Sequence, residues 1–409
     1  MKHPLSPLLA LLVLALALTA CAPAAPQSAA TTETAPAAET AETAGEQAAF
    51  PVGKLVGGNA LQQTADAYYV TEYDTLPDGS LLPRILKLDY ASAREELFYA
   101  LETPVLQFGE PLVRGRQLYF VADQTLYRIP LDGGEVAEFP VPAEFTGFSA
   151  ADEYSAFCFY PHADGLHGDR LDLETGQITD LTLPPQTEGI YPVGKDRFIL
   201  CRILTDAPLP DPGQNLEAYD AAMQNARKEY DWFDPATGEL EKLFEVPYYG
   251  QEQPDGTRRG RMLLAMANER IYFVWSIQDN TSILKEGLES CDKSGGDWQQ
   301  VPVPSEEAFY YGAALCQNEE LRWIRNWTAG GDYRIYDLST GENHSIPSLR
   351  ELPGTETARP EALTGDGRCL LRTNYLDAQG GYRSGYALID QADYLAGSTA
   401  WTPVQPYTG

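Results

Sequence analysis

Short apolar runs recur along the chain about every fifty residues, and long helical patterns are scarce. Seven of these runs lie at residues 67–70, 117–121, 155–159, 197–201, 270–274, 321–324 and 368–371. Nearly continuous apolar and aromatic runs of this length are typical of strands buried on both faces. The pattern therefore predicts an all-β chain built from a repeated unit.

Most of the runs are followed by a second strand that ends in an acidic turn. These turns lie at residues 89–91, 132–134, 172–176, 234–238, 292–296, 337–341 and 390–391. The turns at 172–176, 234–238 and 337–341 share the pattern D-x-x-T-G. The aspartate can accept hydrogen bonds from backbone N–H groups two residues on, and glycine can take the positive φ that closes the hairpin.

Seven strand-and-turn units of similar length fit blades arranged around an axis. The chain resembles the bacterial propellers of the TolB-like and quinoprotein-like kind, whose blades carry the D-x-x-T-G turn between the third and fourth strands. The resemblance implies a β-propeller of four-stranded antiparallel blades over residues 50–409. Seven blades are expected, with six or eight as alternatives. A fold of this kind says little about function.

One segment departs from the strand pattern, at residues 215–230. A single helical face would carry Leu216, Tyr219, Met223, Ala226 and Tyr230. Asn215 can cap the first turn. We therefore predict one short inserted helix, which either packs on a blade rim or closes over the central funnel.

The longest and most individual connections lie at 161–169, 205–229 and 247–261. If the acidic turns join third and fourth strands, these segments all belong to the opposite face of the disc. Function on a rigid scaffold usually concentrates in such loops, so we expect any ligand site there.

The first twenty residues have the parts of an export signal. Lys2 and His3 precede an eleven-residue apolar stretch at 8–18, far short of the ~20 residues that span a bilayer. The order Leu18-Thr19-Ala20-Cys21 resembles the lipobox of bacterial lipoproteins, which implies acylation of Cys21. The alternative is an ordinary secretory peptide that contains a cysteine.

Residues 21–49 are mostly Ala, Thr, Pro, Gln and Glu, and such a stretch cannot bury enough apolar surface to fold. The predicted organisation is therefore a signal peptide at 1–20, an acylated tether at 21–49 and a propeller at 50–409. The expected location is the extracytoplasmic side of the cell membrane or outer membrane, with the lipid as the membrane partner.

Composition narrows the possible partners. The formal net charge of −30 repels nucleic acid, so no nucleic-acid partner is predicted. Once Cys21 is acylated, five cysteines remain, and an odd number cannot all pair. Cys158, Cys201 and Cys369 sit inside apolar runs, where small buried hydrophobes are the expected role.

Two clusters are candidates for binding chemistry. Arg258, Arg259 and Arg261 follow Tyr248 and Tyr249 in an otherwise acidic chain. They could clamp a carboxylate or phosphate with forked hydrogen bonds, or simply pair with nearby acidic side chains.

The second cluster offers nitrogen and oxygen ligands within eight residues: His162, Asp164, His167 and Asp169. Because H-x4-H in a hairpin is not a recognised metal spacing, a solvated hairpin is the favoured interpretation. No cofactor is predicted.

Nothing in the sequence matches a catalytic motif. There is no nucleophile elbow, P-loop or H-E-x-x-H, and beyond the predicted signal only His162, His167 and His344 remain. Two hypotheses stay open. The first is a non-catalytic binding module for an envelope protein, peptide or glycan; the alternative is a polysaccharide hydrolase or lyase that uses funnel carboxylates.

Overall fold

The computed structural model describes residues 56–408, except 163–164, 193–196, 207, 211–212, 268, 280–281, 302–308, 318–319, 329–332, 347–354 and 377–381. The predicted signal peptide, the tether and Cys21 lie outside the described residues. Within them, the strands form seven antiparallel sheets, numbered here as blades in chain order. The predicted seven-bladed β-propeller is confirmed.

The chain opens with β1 (Val56–Gly57) and a 3-10 turn at Gly58–Gln62. Blade 1 has β2 (Ala67–Thr75), β3 (Leu81–Asp89) and β4 (Arg94–Ala100). Blade 2 has β5 (Leu112–Arg114), β6 (Gln117–Ala122), β7 (Thr125–Pro130) and β8 (Ala137–Pro140). Blade 3 has β9 (Ala150–Ala151), β10 (Ser155–His162), β11 (Gly165–Asp172) and β12 (Ile178–Asp180). Blade 4 has β13 (Thr187–Pro192), β14 (Phe198–Leu204), β15 (Arg227–Phe233) and β16 (Leu240–Pro247).

Blade 5 has β17 (Gln251–Glu252), β18 (Arg258–Ala267), β19 (Arg270–Gln278), β20 (Ile283–Asp292) and β21 (Gln299–Gln300). Blade 6 has β22 (Phe309–Gln317), β23 (Glu320–Thr328), β24 (Tyr333–Asp337) and β25 (Glu342–Ile346). Blade 7 has β26 (Thr355–Leu363), β27 (Arg368–Leu376), β28 (Tyr382–Asp390) and β29 (Thr402–Pro403). Within each blade the strands follow chain order from the axis outward.

The core lies between neighbouring blades, because each apolar run supplies side chains to both faces of its sheet. Phe157 of blade 3 meets Phe198 of blade 4 edge to face, with ring centroids 5.1 Å apart. Tyr230 of blade 4 meets Phe273 of blade 5 in the same way at 5.6 Å. Such pairs add specific geometry to the burial of apolar surface.

Four cysteines are buried free thiols: Cys158, Cys201, Cys291 and Cys369. The predicted hydrophobic role of Cys158, Cys201 and Cys369 is therefore confirmed. Burial raises the pKa of Cys201 to about 12, so its thiolate is scarce at neutral pH.

The acidic turns have the predicted chemistry. Asp172 accepts hydrogen bonds from the N–H groups of Glu174 and Thr175 at 3.1 and 2.7 Å, and from the Thr175 hydroxyl at 2.8 Å. Gly176 closes this turn with a φ of 72°. Its Hα side packs against the Phe139 ring so closely that a Cβ would clash.

The inserted helix is shorter than predicted. Helix α1 spans Leu216–Gln224, and Asn215 caps it by accepting from the Ala218 N–H at 3.0 Å. The predicted extension to residue 230 is wrong, because Arg227–Phe233 pairs with β14 as β15. A second helix, α2 (Gln391–Leu395), follows the capping residue Asp390. None of the described helices is long and apolar enough to cross a bilayer.

Because neighbouring strands of a blade are antiparallel, their connections alternate between the two faces of the disc. The turn face carries the D-x-x-T-G turns at 172–176, 234–238 and 337–341. The loop face carries the hairpins between second and third strands and the links between blades. Helix α1, which connects β14 with β15, therefore lies on the loop face. So do the β10–β11 hairpin and the link from β16 to β18.

The first described residues lie against the inner strands. β1 pairs with β9, and the 3-10 turn contacts β5, β9 and β26, which border the central channel. Ala60 and Leu61 are only 3% and 4% exposed. Val56 pairs with Ala151, at the end of β9 that opens into the turn face.

The ring closes between blades 7 and 1 without exchange of a strand. The residues after β29 run beside β4, where Glu95 N–H donates to the Gln405 carbonyl at 2.9 Å. The Gln405 N–H donates to the Ala93 carbonyl, also at 2.9 Å. Buried side chains from both blades, including Tyr68 and Leu370, pack in this junction.

Candidate functional site

The three arginines predicted as a ligand site lie at the loop-face end of β18. Successive side chains of a strand point to opposite faces, so Arg259 and Arg261 share one face of blade 5. That face packs against blade 4, because Leu263, further along the strand, joins Tyr230 and Ile199 in one apolar cluster.

Arg259 and Arg261 both bind the carboxylate of Glu289 on β20. The Arg259 Nη2 lies 2.6 Å from Glu289 Oε2, and the Arg261 Nε donates to Oε1. The Gln300 amide donates to Oε2 at 2.8 Å. Glu289 is 1% exposed. The carboxylate that these two arginines hold is therefore the protein's own.

Aromatic rings cover the same two guanidinium groups. Arg259 lies 4.8 Å from the centroid of Trp275, and Arg261 lies 4.3 Å from that of Trp298. Contacts of this length are favourable cation–π interactions. Gly287 leaves room for the Trp275 indole, because a Cβ at this position would overlap the ring. The cluster joins blade 5 to the outer strand of blade 4.

Arg258 has a different environment from the other two arginines. Its Nη2 donates to Gln224 Oε1 at 3.0 Å, which links blade 5 to the last residue of α1. Its guanidinium lies 5.7 Å from the ring centroid of Tyr249. Tyr248 and Tyr249 meet edge to face at 5.1 Å. The structure thus brings together Arg258, both tyrosines and the helix.

An ion pair between a buried lysine and an exposed glutamate lies in the same region of blade 4. Lys228 Nζ is 3.2 Å from Glu188 Oε2 and lies 4.9 Å from the Tyr248 centroid. The Lys228 side chain is only 11% exposed. Glu188 sits at an irregularity in the β13 ladder, and such bulges re-aim side chains. No local pattern indicates this pair, because its members are forty residues apart.

Aliphatic side chains are also exposed on the loop face. Leu216 on α1 is 54% exposed, and Ile283 and Leu284 at the start of β20 are 39% and 46% exposed. Arg258 and Ile283 flank Gln278 in the ladder, about 10 Å apart at two strand spacings. We call Leu216, Tyr249, Arg258, Ile283 and Leu284 the loop-face patch.

The weaker metal candidates occupy the β10–β11 hairpin. The rings of His162 and His167 lie 4.6 Å apart, whereas Asp169 pairs with Cys158 further along the ladder. Asp164 lies outside the described residues. No group of three or more His, Cys, Asp or Glu side chains in the described part of the chain is arranged to hold a metal ion.

Two carboxylates near the channel were missed by sequence reasoning. Gln62 donates to Glu110 Oε2 at 3.2 Å, which places Glu110 beside the 3-10 turn. Glu110 is exposed, yet partial desolvation raises its pKa; hydrogen bonds from Thr71 and the charge of Arg372 oppose this shift, while Glu361 adds to it. Glu361 occupies the bulge in β26. Acidic residues are too numerous in this sequence for such a pair to stand out.

Comparison with known proteins identifies the architecture. The β-propeller domain of the trilobed protease from Pyrococcus furiosus, described as having an open velcro topology, matches with a TM-score of 0.50 at 12% identity, covering 88% of this chain and 97% of that one. The domain is a β-propeller. No protein-family model matches the sequence, and no curated protein matches it.

Two further solved structures are similar in outline. An oligogalacturonate lyase from Vibrio parahaemolyticus gives a TM-score of 0.44 at 14% identity, covering 87% of this chain and 86% of that one. A structure from Agrobacterium tumefaciens whose description names TolB gives a TM-score of 0.35 at 12% identity, covering 68% of this chain and 88% of that one. Neither of these two matches carries information about function.

Proposed function

We propose that this protein is an exported, lipid-anchored β-propeller that binds an envelope protein, peptide or glycan through its loop face, without catalysing a reaction. One observation carries the proposal. The loop face holds the inserted helix together with exposed aliphatic, aromatic and cationic side chains, whereas the turn face carries short hairpins. Interfaces enriched in Tyr, Arg and apolar side chains are typical of protein recognition.

The position of the first described residue supports an orientation. Val56 pairs with Ala151 at the turn-face end of β9, so the described part of the chain begins on that side. A lipid on Cys21 would then hold the turn face towards the membrane and present the loop-face patch away from it. As a flexible chain, a tether of this length reaches roughly 30 Å.

The composition of the loop-face patch favours a protein or peptide over a glycan. Leu216, Ile283 and Leu284 offer aliphatic surface, which gains by burial against another apolar surface at about 25 cal/mol per Å². Arg258 keeps its charge and adds forked donors for an acidic group. Arg259 and Arg261 contribute less to recognition, because Glu289 already holds them.

The binding test is a pull-down from envelope extracts, with protein and glycan fractions analysed separately. We expect Leu284→Asp and Arg258→Ala each to reduce recovery of the partner at least fivefold at equal folded fraction. The matched control is Leu240→Asp, because Leu240 is also exposed (38%) but begins β16 at the turn face. Equal loss in Leu240→Asp would refute the assignment to the loop face.

The anchor is tested separately by metabolic labelling with a fatty acid. The wild-type chain should incorporate label, and Cys21→Ser should not. Labelling that persists in Cys21→Ser would rule out Cys21 as the acylated residue, without bearing on the loop-face patch.

A second candidate is a polysaccharide hydrolase or lyase, and the Glu110–Glu361 pair favours it. Partial desolvation raises the pKa of Glu110, and a carboxyl group with a raised pKa can act as a general acid. Incubation with acidic and neutral polysaccharides should then release oligosaccharides, and Glu110→Gln should abolish the release. Absence of any cleavage by the wild-type chain across both classes would remove this candidate.

A further inference from the structure

A cavity of about 390 Å³ lies on the turn face, between blades 2 and 3. Its wall on blade 2 includes Tyr119, Arg128 and Glu135, and its wall on blade 3 includes Glu153, Tyr154 and Glu174. None of these residues belongs to the loop-face patch or to the channel pair. The cavity has both aromatic and charged lining, as ligand sites usually do.

The blade 3 wall is fixed in place by contacts from blade 2. Arg128 Nη1 donates to the carbonyls of Leu173 and Glu174 at 3.4 and 2.5 Å. The Tyr119 hydroxyl donates to the Leu173 carbonyl at 3.1 Å. The Arg128 guanidinium also lies 5.0 Å from the Phe139 centroid. These contacts hold the Leu173–Glu174 segment of the wall in place.

The charge of the lining is strongly negative. Its acidic residues are Glu135, Glu153, Asp172 and Glu174, and its one cation is Arg128, which gives 4 − 1 = 3 net negative charges. Asp172 is engaged by its own turn. Glu135, Glu153 and Glu174 are exposed, and no ion pair joins them to any described residue.

Tyr154 adds an open aromatic surface. It is 64% exposed, although it lines the cavity beside Glu153. The charge of Glu153 and a hydrogen bond with its carboxylate raise the pKa of Tyr154. An aromatic face beside carboxylates is a favourable environment for an organic cation.

We propose that this cavity binds a guanidinium or alkylammonium group, supplied by an Arg or Lys side chain of a partner polypeptide. The carboxylates and Tyr154 surround an open volume instead of converging on one point, and the described residues include no group arranged to hold a metal ion. The shape therefore fits an extended cation better than a bare ion. A polypeptide source adds main-chain contacts along the groove between the blades.

The test measures binding of short blocked peptides to the full chain in detergent by calorimetry. The probes are Gly-Arg-Gly and Gly-Lys-Gly, with the neutral analogue Gly-citrulline-Gly and the free cation spermidine for comparison. We expect the Arg and Lys peptides to bind and the citrulline peptide not to bind. Binding should weaken as salt is raised, because the carboxylates are exposed.

The decisive variant is Glu153→Gln/Glu174→Gln, which should weaken binding of the Arg peptide at least tenfold. Its matched control is Glu239→Gln/Glu252→Gln, with the same change in net charge at exposed positions outside the cavity. Tyr154→Leu should weaken binding severalfold while leaving the melting temperature unchanged. These variants alter exposed side chains, so circular dichroism should report an intact fold.

Three results would overturn the proposal. The first is no binding of either cationic peptide at millimolar concentration, and the second is equal weakening in the control double variant. Tighter binding of spermidine than of both peptides would overturn the polypeptide source and assign the cavity to free cations. None of these outcomes depends on the loop-face patch, so the proposals for the two sites are tested independently.

Discussion

Removal of the Glu289 carboxylate is the most informative perturbation of the blade 4–5 junction. Glu289→Ala would leave Arg259 and Arg261 on the same strand face with no counter-charge. Breaking a buried pair by removing one partner costs about 3–5 kcal/mol. The two arginine side chains are 31% and 29% exposed, so water screens part of this cost and about 3 kcal/mol is the expected loss.

The corresponding change in melting temperature follows from the size of the domain. An unfolding entropy of about 2.1 cal/mol/K per residue gives roughly 0.7 kcal/mol/K for the roughly 350 residues of the propeller. A loss of about 3 kcal/mol then lowers the melting temperature by about 4 °C. Differential scanning calorimetry resolves a change of this size.

A triple variant separates the loss of charge balance from the loss of packing. Glu289→Ala/Arg259→Met/Arg261→Met removes all three charges together, and replacing a buried ionic cluster with apolar side chains is often neutral or stabilising. We therefore expect most of the lost stability to return. Glu241→Ala serves as the exposed control, because its pair with Arg197 is solvated at both ends. A triple variant less stable than Glu289→Ala would refute the electrostatic account.

Three further predictions concern the core, the turns and pH. Leu61→Ala should lower the free energy of unfolding by about 2–5 kcal/mol, measured by urea denaturation. Leu106→Ala, at an 80% exposed position, should change it little. Equal effects would contradict packing of the 3-10 turn in the channel. Gly176→Ala should lower the melting temperature more than Gly238→Ala: both glycines have positive φ, but only Gly176 abuts a ring, that of Phe139. Burial, with the charges of Asp180 and Glu144, raises the pKa of Asp169. Protonation of this carboxyl group therefore favours the folded state, and the free energy of unfolding should fall as the pH rises through that pKa. Asp169→Asn should lack this fall in denaturation curves from pH 4 to 8, and an unchanged pH dependence would contradict the assignment.

Local sequence signals were sufficient for the blades. A strand such as β19 is recognisable because Ile271, Tyr272, Phe273 and Val274 are all buried between neighbouring sheets, which requires an unbroken apolar run. The turn at 172–176 is recognisable because its aspartate, threonine and glycine each satisfy a local backbone requirement. Both patterns involve residues that are close in sequence.

The helix boundary shows how two periods can compete. Tyr230 continues the helical spacing of Tyr219 and Met223, but it lies in β15, which pairs with β14. Tertiary pairing decided between the two, and a single sequence does not reveal it. The 3-10 turn at Gly58–Gln62 has no periodic pattern and was not predicted for the same reason.

The candidate site depended on contacts between distant residues. The grouping of Arg258 with Tyr249 was visible in the sequence, since nine residues separate them. The partner of Arg259 and Arg261 was not, because Glu289 follows them by some thirty residues and is one acidic side chain among many. The cavity between blades 2 and 3 likewise joins three separate turns, and only the folded ring brings them together.

The junction between blades 7 and 1 gives the ring one weak point. The chain itself crosses every other junction, whereas this one depends on side-chain packing and on the bonds between Gln405 and the strand at Ala93 and Glu95. A separation there would break these contacts and the contact of the 3-10 turn with β26, but it would leave the strand pairs within every blade intact. Separation at this junction would widen the disc without unfolding any blade.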